Sequence, residues 1–131
     1  MVKDIRWRYL IFHLHTPSNP RIESIKNALK KHLRSFLGVQ GLSRAPFKLI
    51  MYDEHNKLGI IRCPHNAVTI IRAALALLDS IDGESASIHI AKSTGTLKKA
   101  RILTKEIAEK LKSYWSELEV GMKKPSQATE S

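Results

Sequence analysis

The residues of this chain best suited to chemistry lie in one run, Ser93-Thr94-Gly95-Thr96, followed by Lys98, Lys99 and Arg101. The run stands between a strand-like and a helix-like segment. Its backbone N–H groups and the first helical turn therefore make a ready anion site. Gly95 lets the backbone approach a phosphate closely, Thr94 and Thr96 offer hydroxyls, and Thr96 can cap the helix. Cations in the first turn oppose the helix dipole at about 0.3–1 kcal/mol each, and a bound anion is a sensible reason for placing them there. Lys92 precedes the run, and Lys98, Arg101, Lys105 and Lys112 continue along one flank of the helix. The competing account is a capped helix with a solvated basic face.

Other chemistry is poorly served. The six histidines lack HExxH spacing, and Cys63 with His65 supplies two ligands where zinc takes three or four. His13 and His15 share a strand face, but no third ligand is visible, so a surface or partner-facing pair is expected. Asp53 and Glu54 read as turn acids. Gly38 and Gly41 follow a helix, the wrong context for a phosphate-cradling loop. There is no nucleophile with its base. The polypeptide alone is not expected to be catalytic, nor to bind a cofactor or metal.

Charge narrows the partner. The chain has 131 residues, a usual size for one domain, and a formal net charge of +10. Residues 1–48 carry ten Lys or Arg against two acids, 49–91 three against five, and 92–131 nine against five. Solubilising lysine alone would not leave the middle acidic, so a polyanion is implied, with nucleic acid ahead of membrane. Two basic ends suggest a clamp on structured RNA. Aromatics are 6% of the chain, and isoleucines fill Leu58-Gly59-Ile60-Ile61-Arg62 where stacking aromatics would sit. Contacts to phosphate and sugar on folded RNA are the expectation. One cysteine, no signal-like N-terminus and no apolar run of bilayer length point to a cytoplasmic protein.

Periodicity supplies the elements that must position these groups. Residues 6–15 read as a strand with Leu10, Phe12 and Leu14 on one face and Tyr9, Ile11, His13 and His15 on the other. Ser18 or Asn19 can cap a helix running to about Leu37 on Ile22, Ile25, Leu29, Leu33 and Phe36, flanked by Lys26, Lys30 and Arg34 and ended by Gly38 and Gly41. A hairpin of 47–52 and 58–63 follows, then a helix capped by Asn66 along Val68, Ile71, Leu75 and Leu78, and a strand over 87–91. A last helix reaches about Glu119 on Leu103, Ile107, Leu111, Tyr114 and Leu118, and 121–131 reads as a disordered polar tail after a single domain, 1–120. This order predicts an α+β, ferredoxin-like split βαβ sandwich. Its antiparallel four-stranded sheet carries two helices on one face, with a C-terminal helix added. The second sheet face is open unless that helix or a partner covers it.

Several fragments in order resemble a known family. They are Arg8-Tyr9-Leu10, Tyr52-Asp53, Gly59-Ile60-Ile61-Arg62, Arg72-Ala73-Ala74-Leu75 and Thr94-Gly95-Thr96-Leu97-Lys98-Lys99-Ala100. Together they are similar to the archaeal and eukaryotic ribonuclease P protein family, component 2 in archaea, over about residues 6–112. The family pattern has Ser-Gly-Thr where Thr94-Gly95-Thr96 stands here, and Ser93 leaves the register open by one residue. The resemblance implies an RRM-like sandwich that binds ribonuclease P RNA for removal of the 5′ leader of precursor tRNA. The RNA would carry the Mg²⁺-dependent chemistry, and a second protein subunit, component 3, would join as heterodimer or heterotetramer. It adds Arg62 and Arg72 to the RNA-binding candidates, against ion pairs with Asp53, Asp79 or Asp82 as the competing role. Arg8, Lys26, Lys30 and Arg34 are secondary candidates. The partner surface is expected to be apolar, on the open sheet face or the hairpin. A ribosomal-type RNA-binding protein and a small-molecule regulatory module are the alternative functions.

Overall fold

Alternation along the first strand decides how the layers stack. A computed structural model describes residues 5–130, with side chains described through 117 except at position 115. The chain runs β1 (Trp7–His15), α1 (Ile22–Arg44), β2 (Lys48–Asp53), β3 (Leu58–Pro64), a 3-10 turn (His65–Ala67) and α2 (Val68–Ala76). A small hairpin of β4 (Ser80–Ile81) and β5 (Glu84–Ser85) follows, then β6 (Ser87–Thr94) and α3 (Leu97–Glu130). The main sheet is antiparallel with order β2-β3-β1-β6, the split βαβ arrangement.

Leu10, Phe12 and Leu14 pack with Ile25, Leu29 and Leu33 of α1 and Ile71 and Leu75 of α2. On the other face, Ile11 and Ile60 are buried under Ala100 of α3, with Tyr9, Met51, Leu97, Leu103 and Ile107 around them. α3 therefore covers the face that two helices leave bare. This corrects the expectation that a partner docks there: the apolar stripe of α3 has already claimed it.

Several boundaries differ from the sequence reading. α1 starts after Arg21 with no side-chain cap, so Ser18 and Asn19 do not serve. Gly38 breaks its helical geometry at φ 75°, as expected, but Gly41 lies in a further helical piece reaching Arg44. Phe36 is exposed rather than part of the core stripe. The 3-10 turn displaces the start of α2 to Val68, and Asn66 caps nothing there. Tyr114 lies exposed, and Leu118 falls outside the described side chains. α3 continues past Glu119 to Glu130, where a disordered tail was expected. Ser131 lies outside the described residues.

Turn chemistry holds the hairpin. The Asp53 carboxylate accepts from the His55 and Asn56 backbone N–H groups at 3.0 and 3.3 Å and from Asn56 Nδ2 at 2.6 Å. Burial alone would raise its pKa, but the hydrogen bonds from Asn56 and His55 hold it below the ordinary carboxylate value. Cys63 lies in the core, and burial pushes its thiol up to about 11 against a smaller pull from Arg8. Because the thiolate is the reactive form, Cys63 should resist a thiol reagent at neutral pH and react promptly in denaturant. Equal rates in both conditions would contradict its place in the core.

Candidate nucleic-acid interface

One end of the sheet gathers the starts of β1 and β2, the ends of β3 and β6, and the N-terminus of α3. The register requires it: Trp7 pairs with Pro64, Tyr9 with Thr94, and Lys48 with Arg62. There Arg8 donates from Nη2 to Ser93 Oγ at 2.9 Å. The same guanidinium borders Gly95, where an added Cβ would lie 3.5 Å from Arg8 Nη1. Gly95 thus leaves Arg8 uncovered.

Thr96 is the N-cap of α3. Its Oγ1 accepts the Lys99 N–H at 3.2 Å, and its carbonyl accepts the Ala100 N–H at 3.0 Å to open the helix. The N–H groups of Leu97 and Lys98 precede any carbonyl that could pair with them inside the helix. Lys98, Lys99 and Arg101 are exposed, and the first turn holds no acid. A guanidinium, a serine hydroxyl, backbone N–H groups and ammonium groups therefore converge on a single strand-to-helix turn. Every charged group there is a cation, and the geometry suits a phosphate. Replacing Thr96 by Ala should cost about 1 kcal/mol of stability, read as a lower denaturant midpoint with unchanged slope. An unchanged midpoint would contradict the cap.

A bulge arranges this corner. β6 shifts register against β1 between Ile11 and Phe12, so Ala91 is passed over, and Ile90 and Lys92 pair with Phe12 and Ile11. Beyond it, Ser93 lands opposite Leu10, on the face of Arg8, and Thr94 lands opposite Tyr9. Thr94 is only 6% exposed. The strand runs three residues further than the sequence suggested, leaving Gly95 and Thr96 as the connection.

The remaining candidates divide by layer. Arg62 sits at the same sheet end, its Cζ 4.4 Å from the centroid of the Trp7 ring, and its Nε is buried without a hydrogen-bond partner. Trp7 was not singled out in the sequence. Only the β1–β3 register brings it near Arg62, and no spacing signal could have shown it. Among the described residues, neither Arg62 nor Arg72 forms an ion pair, so Asp53, Asp79 and Asp82 are not their partners. Lys92, at the sheet edge, and Lys105, two turns along α3, are exposed. Arg72 on α2 and Lys26, Lys30 and Arg34 on α1 are exposed too, and they belong to the helical layer across the sheet from α3, on the face that Arg8 and Ser93 share with Leu10.

A model of the Rpp14/Pop5 family matches residues 8–103. This chain belongs to the Rpp14/Pop5 family. The matched span opens on Arg8 and closes inside α3, so it contains the whole of the strand-to-helix corner. Two similar relatives are both called ribonuclease P protein component 2. The protein of Pyrococcus furiosus is 32% identical over 94 residues, 72% of this chain and 78% of the relative. That of Thermococcus gammatolerans is 33% identical over 102 residues, 78% and 83%. A chain in a cryo-EM structure of yeast ribonuclease MRP shares this fold, with a TM-score of 0.60, 14% identity, and coverage of 88% of this chain and 98% of that one.

Proposed function

We propose that this chain is a protein subunit of ribonuclease P that braces the catalytic RNA during removal of the 5′ leader from precursor tRNA. The observation that carries this reading is the corner built from Arg8, Ser93, Gly95, Thr96, Lys98 and Lys99, which offers a phosphate several donors at once. Membership of the Rpp14/Pop5 family and similarity to component 2 proteins support it. The RNA carries the hydrolytic chemistry and holds the Mg²⁺ ions. The polypeptide neutralises phosphates so that the RNA folds and retains Mg²⁺ at lower ionic strength. With α3 on the second sheet face, bases are not stacked on the sheet, and contacts go to phosphate and sugar, which position an RNA without reading its sequence.

Arg62, Lys92, Arg101 and Lys105 extend the contact from this corner along the α3 side, while Arg72, Lys26, Lys30 and Arg34 would meet RNA that runs on over the α1 and α2 layer. A component 3 subunit is the expected protein partner. Exposed Phe36 and Val39 on α1, Ile70 on α2 and Leu77 at its C-terminal end support an apolar contact on the helical layer. Reconstitution tests the reading. Ribonuclease P RNA and component 3, with and without this chain, are assayed for precursor tRNA cleavage at low Mg²⁺. Cleavage should depend on the chain. Identical cleavage without it, or recovery of ribosomal RNA but no ribonuclease P RNA in a pull-down, would overturn the assignment.

A further inference from the structure

A second cluster stands at the opposite end of β1, and nothing proposed so far uses it. His13 and His15 of β1 and His89 of β6 share the sheet face turned toward α3. His13 lies directly opposite His89 in register. The His13 and His15 rings meet edge to face with centroids 4.3 Å apart, and the His89 ring is 6.5 Å from that of His15. His13 and His15 line a cleft of about 850 Å³ between the end of β1 and α3. His55 and Lys57 reach it from the β2–β3 turn, and Lys112 and Glu109 from α3. Lys57 is fixed there by donating to the carbonyls of Thr16 and Ser18 at 2.7 and 3.0 Å.

A metal cation suits this cleft badly. Lys57 and Lys112 repel it, and among the described residues no three His, Cys, Asp or Glu are placed to hold one. An anion suits it well. We propose that this cleft is a second seat for an RNA phosphate, filled as its histidines take up protons. The inference rests on the RNA-binding reading above and extends it to a site about 20 Å along α3 from the first.

The physical reason lies in the crowding of the imidazoles. Burial first, then the charges of His15, His89 and Lys57, keep the His13 pKa below its ordinary 6.5. Glu109 from α3 and Asp53 beside His55 are the carboxylates at this end, so a proton on one ring opposes a proton on the next and both oppose Lys57 and Lys112. A phosphate diester in the cleft supplies the missing negative charge and accepts N–H bonds from each imidazolium. Binding and proton uptake therefore favour one another. The sign for the free protein is opposite. A histidine held below its free value is protonated more readily in the unfolded chain, so stability without RNA falls as pH drops through 6.5 toward the lower folded value.

The test is RNA affinity across a salt series at about pH 7.5 and about pH 5.5, with ribonuclease P RNA as the probe. The wild-type chain is compared with His15→Gln/His89→Gln and with Lys98→Ala/Lys99→Ala. Melting curves at both pH values show that each variant is folded, and His15 and His89 are exposed enough to change without disturbing the core. Wild type should bind about tenfold tighter at the lower pH, with a log–log salt slope steeper by about 0.9, one further phosphate. The histidine variant should lose that gain, whereas the lysine variant should keep it on a weaker baseline. A gain that survives the histidine variant, or a slope that does not change with pH, overturns the second seat. Added inorganic phosphate that removes the gain without releasing RNA places a free anion in the cleft and overturns the RNA assignment. Absence of RNA binding at either pH overturns the proposed function itself, and a lysine variant equal to wild type overturns only the first seat.

Discussion

Lys98→Ala combined with Lys99→Ala should weaken RNA binding about tenfold to hundredfold at low salt and leave the melting temperature unchanged or slightly higher. Both ammonium groups are exposed and lie in a first turn without an acid, where they oppose the helix dipole and contribute nothing to the core. Removing them relieves that opposition, so the stability change has the sign opposite to the affinity change. The Lys99 backbone N–H still reaches Thr96 Oγ1, so the cap survives the substitution. Each lost phosphate contact should flatten the salt dependence of log K by about 0.9. Filter binding over a salt series, paired with thermal melts, reads both quantities. A fall in melting temperature with unchanged RNA affinity would assign the lysines to the helix instead of to an anion.

Gly59→Ala should lower stability by about 3 kcal/mol, a fall of about 10 °C or more in Tm, with no lesion at the RNA corner. Gly59 is buried in β3 between Phe12 on one neighbouring strand and Tyr52 on the other. An added Cβ would fall on the Phe12 ring and lie 3.1 Å from the Met51 carbonyl oxygen. The missing side chain lets the Phe12 and Tyr52 rings stack across it, centroids 6.1 Å apart and planes 13° from parallel. The backbone oxygen cannot move without breaking the sheet, so relief must come from Phe12. Combining Gly59→Ala with Phe12→Leu should therefore cost less than the sum of the two single changes. Strict additivity in chemical denaturation would show that the ring does not occupy that space.

The two glycines of greatest consequence were legible to different degrees. Gly38 follows a run of helical spacing, and the left-handed break it makes there is a local matter that spacing can announce. Gly59 sits inside a strand pattern, and its purpose depends on residues far away in the chain. Likewise Ser18, Asn19 and Asn66 have the chemistry of a cap but do not serve as one, because a cap depends on where the backbone first turns helical, which the neighbouring packing sets. At Thr96 the local signal and the outcome agree: a hydroxyl immediately after the strand lies where the helix has to start.

Period and charge are properties of the chain alone, and from them follow the order of elements, the two faces of β1 and the basic strand-to-helix turn before α3. Which face of the sheet α3 covers, which residues meet Arg8, and where the histidines gather depend on register. The β6 bulge shows why. Moving one residue out of the ladder exchanges the faces of everything beyond it, and this turns Ser93 toward Arg8 while it buries Thr94. The same pairing sets His89 against His13, so a two-histidine pattern in the sequence becomes a cluster around a cleft. Side chains of one strand alternate by a rule that can be read in advance. Their neighbours across the sheet are chosen by hydrogen bonds between segments about eighty residues apart, and only the folded chain makes that choice.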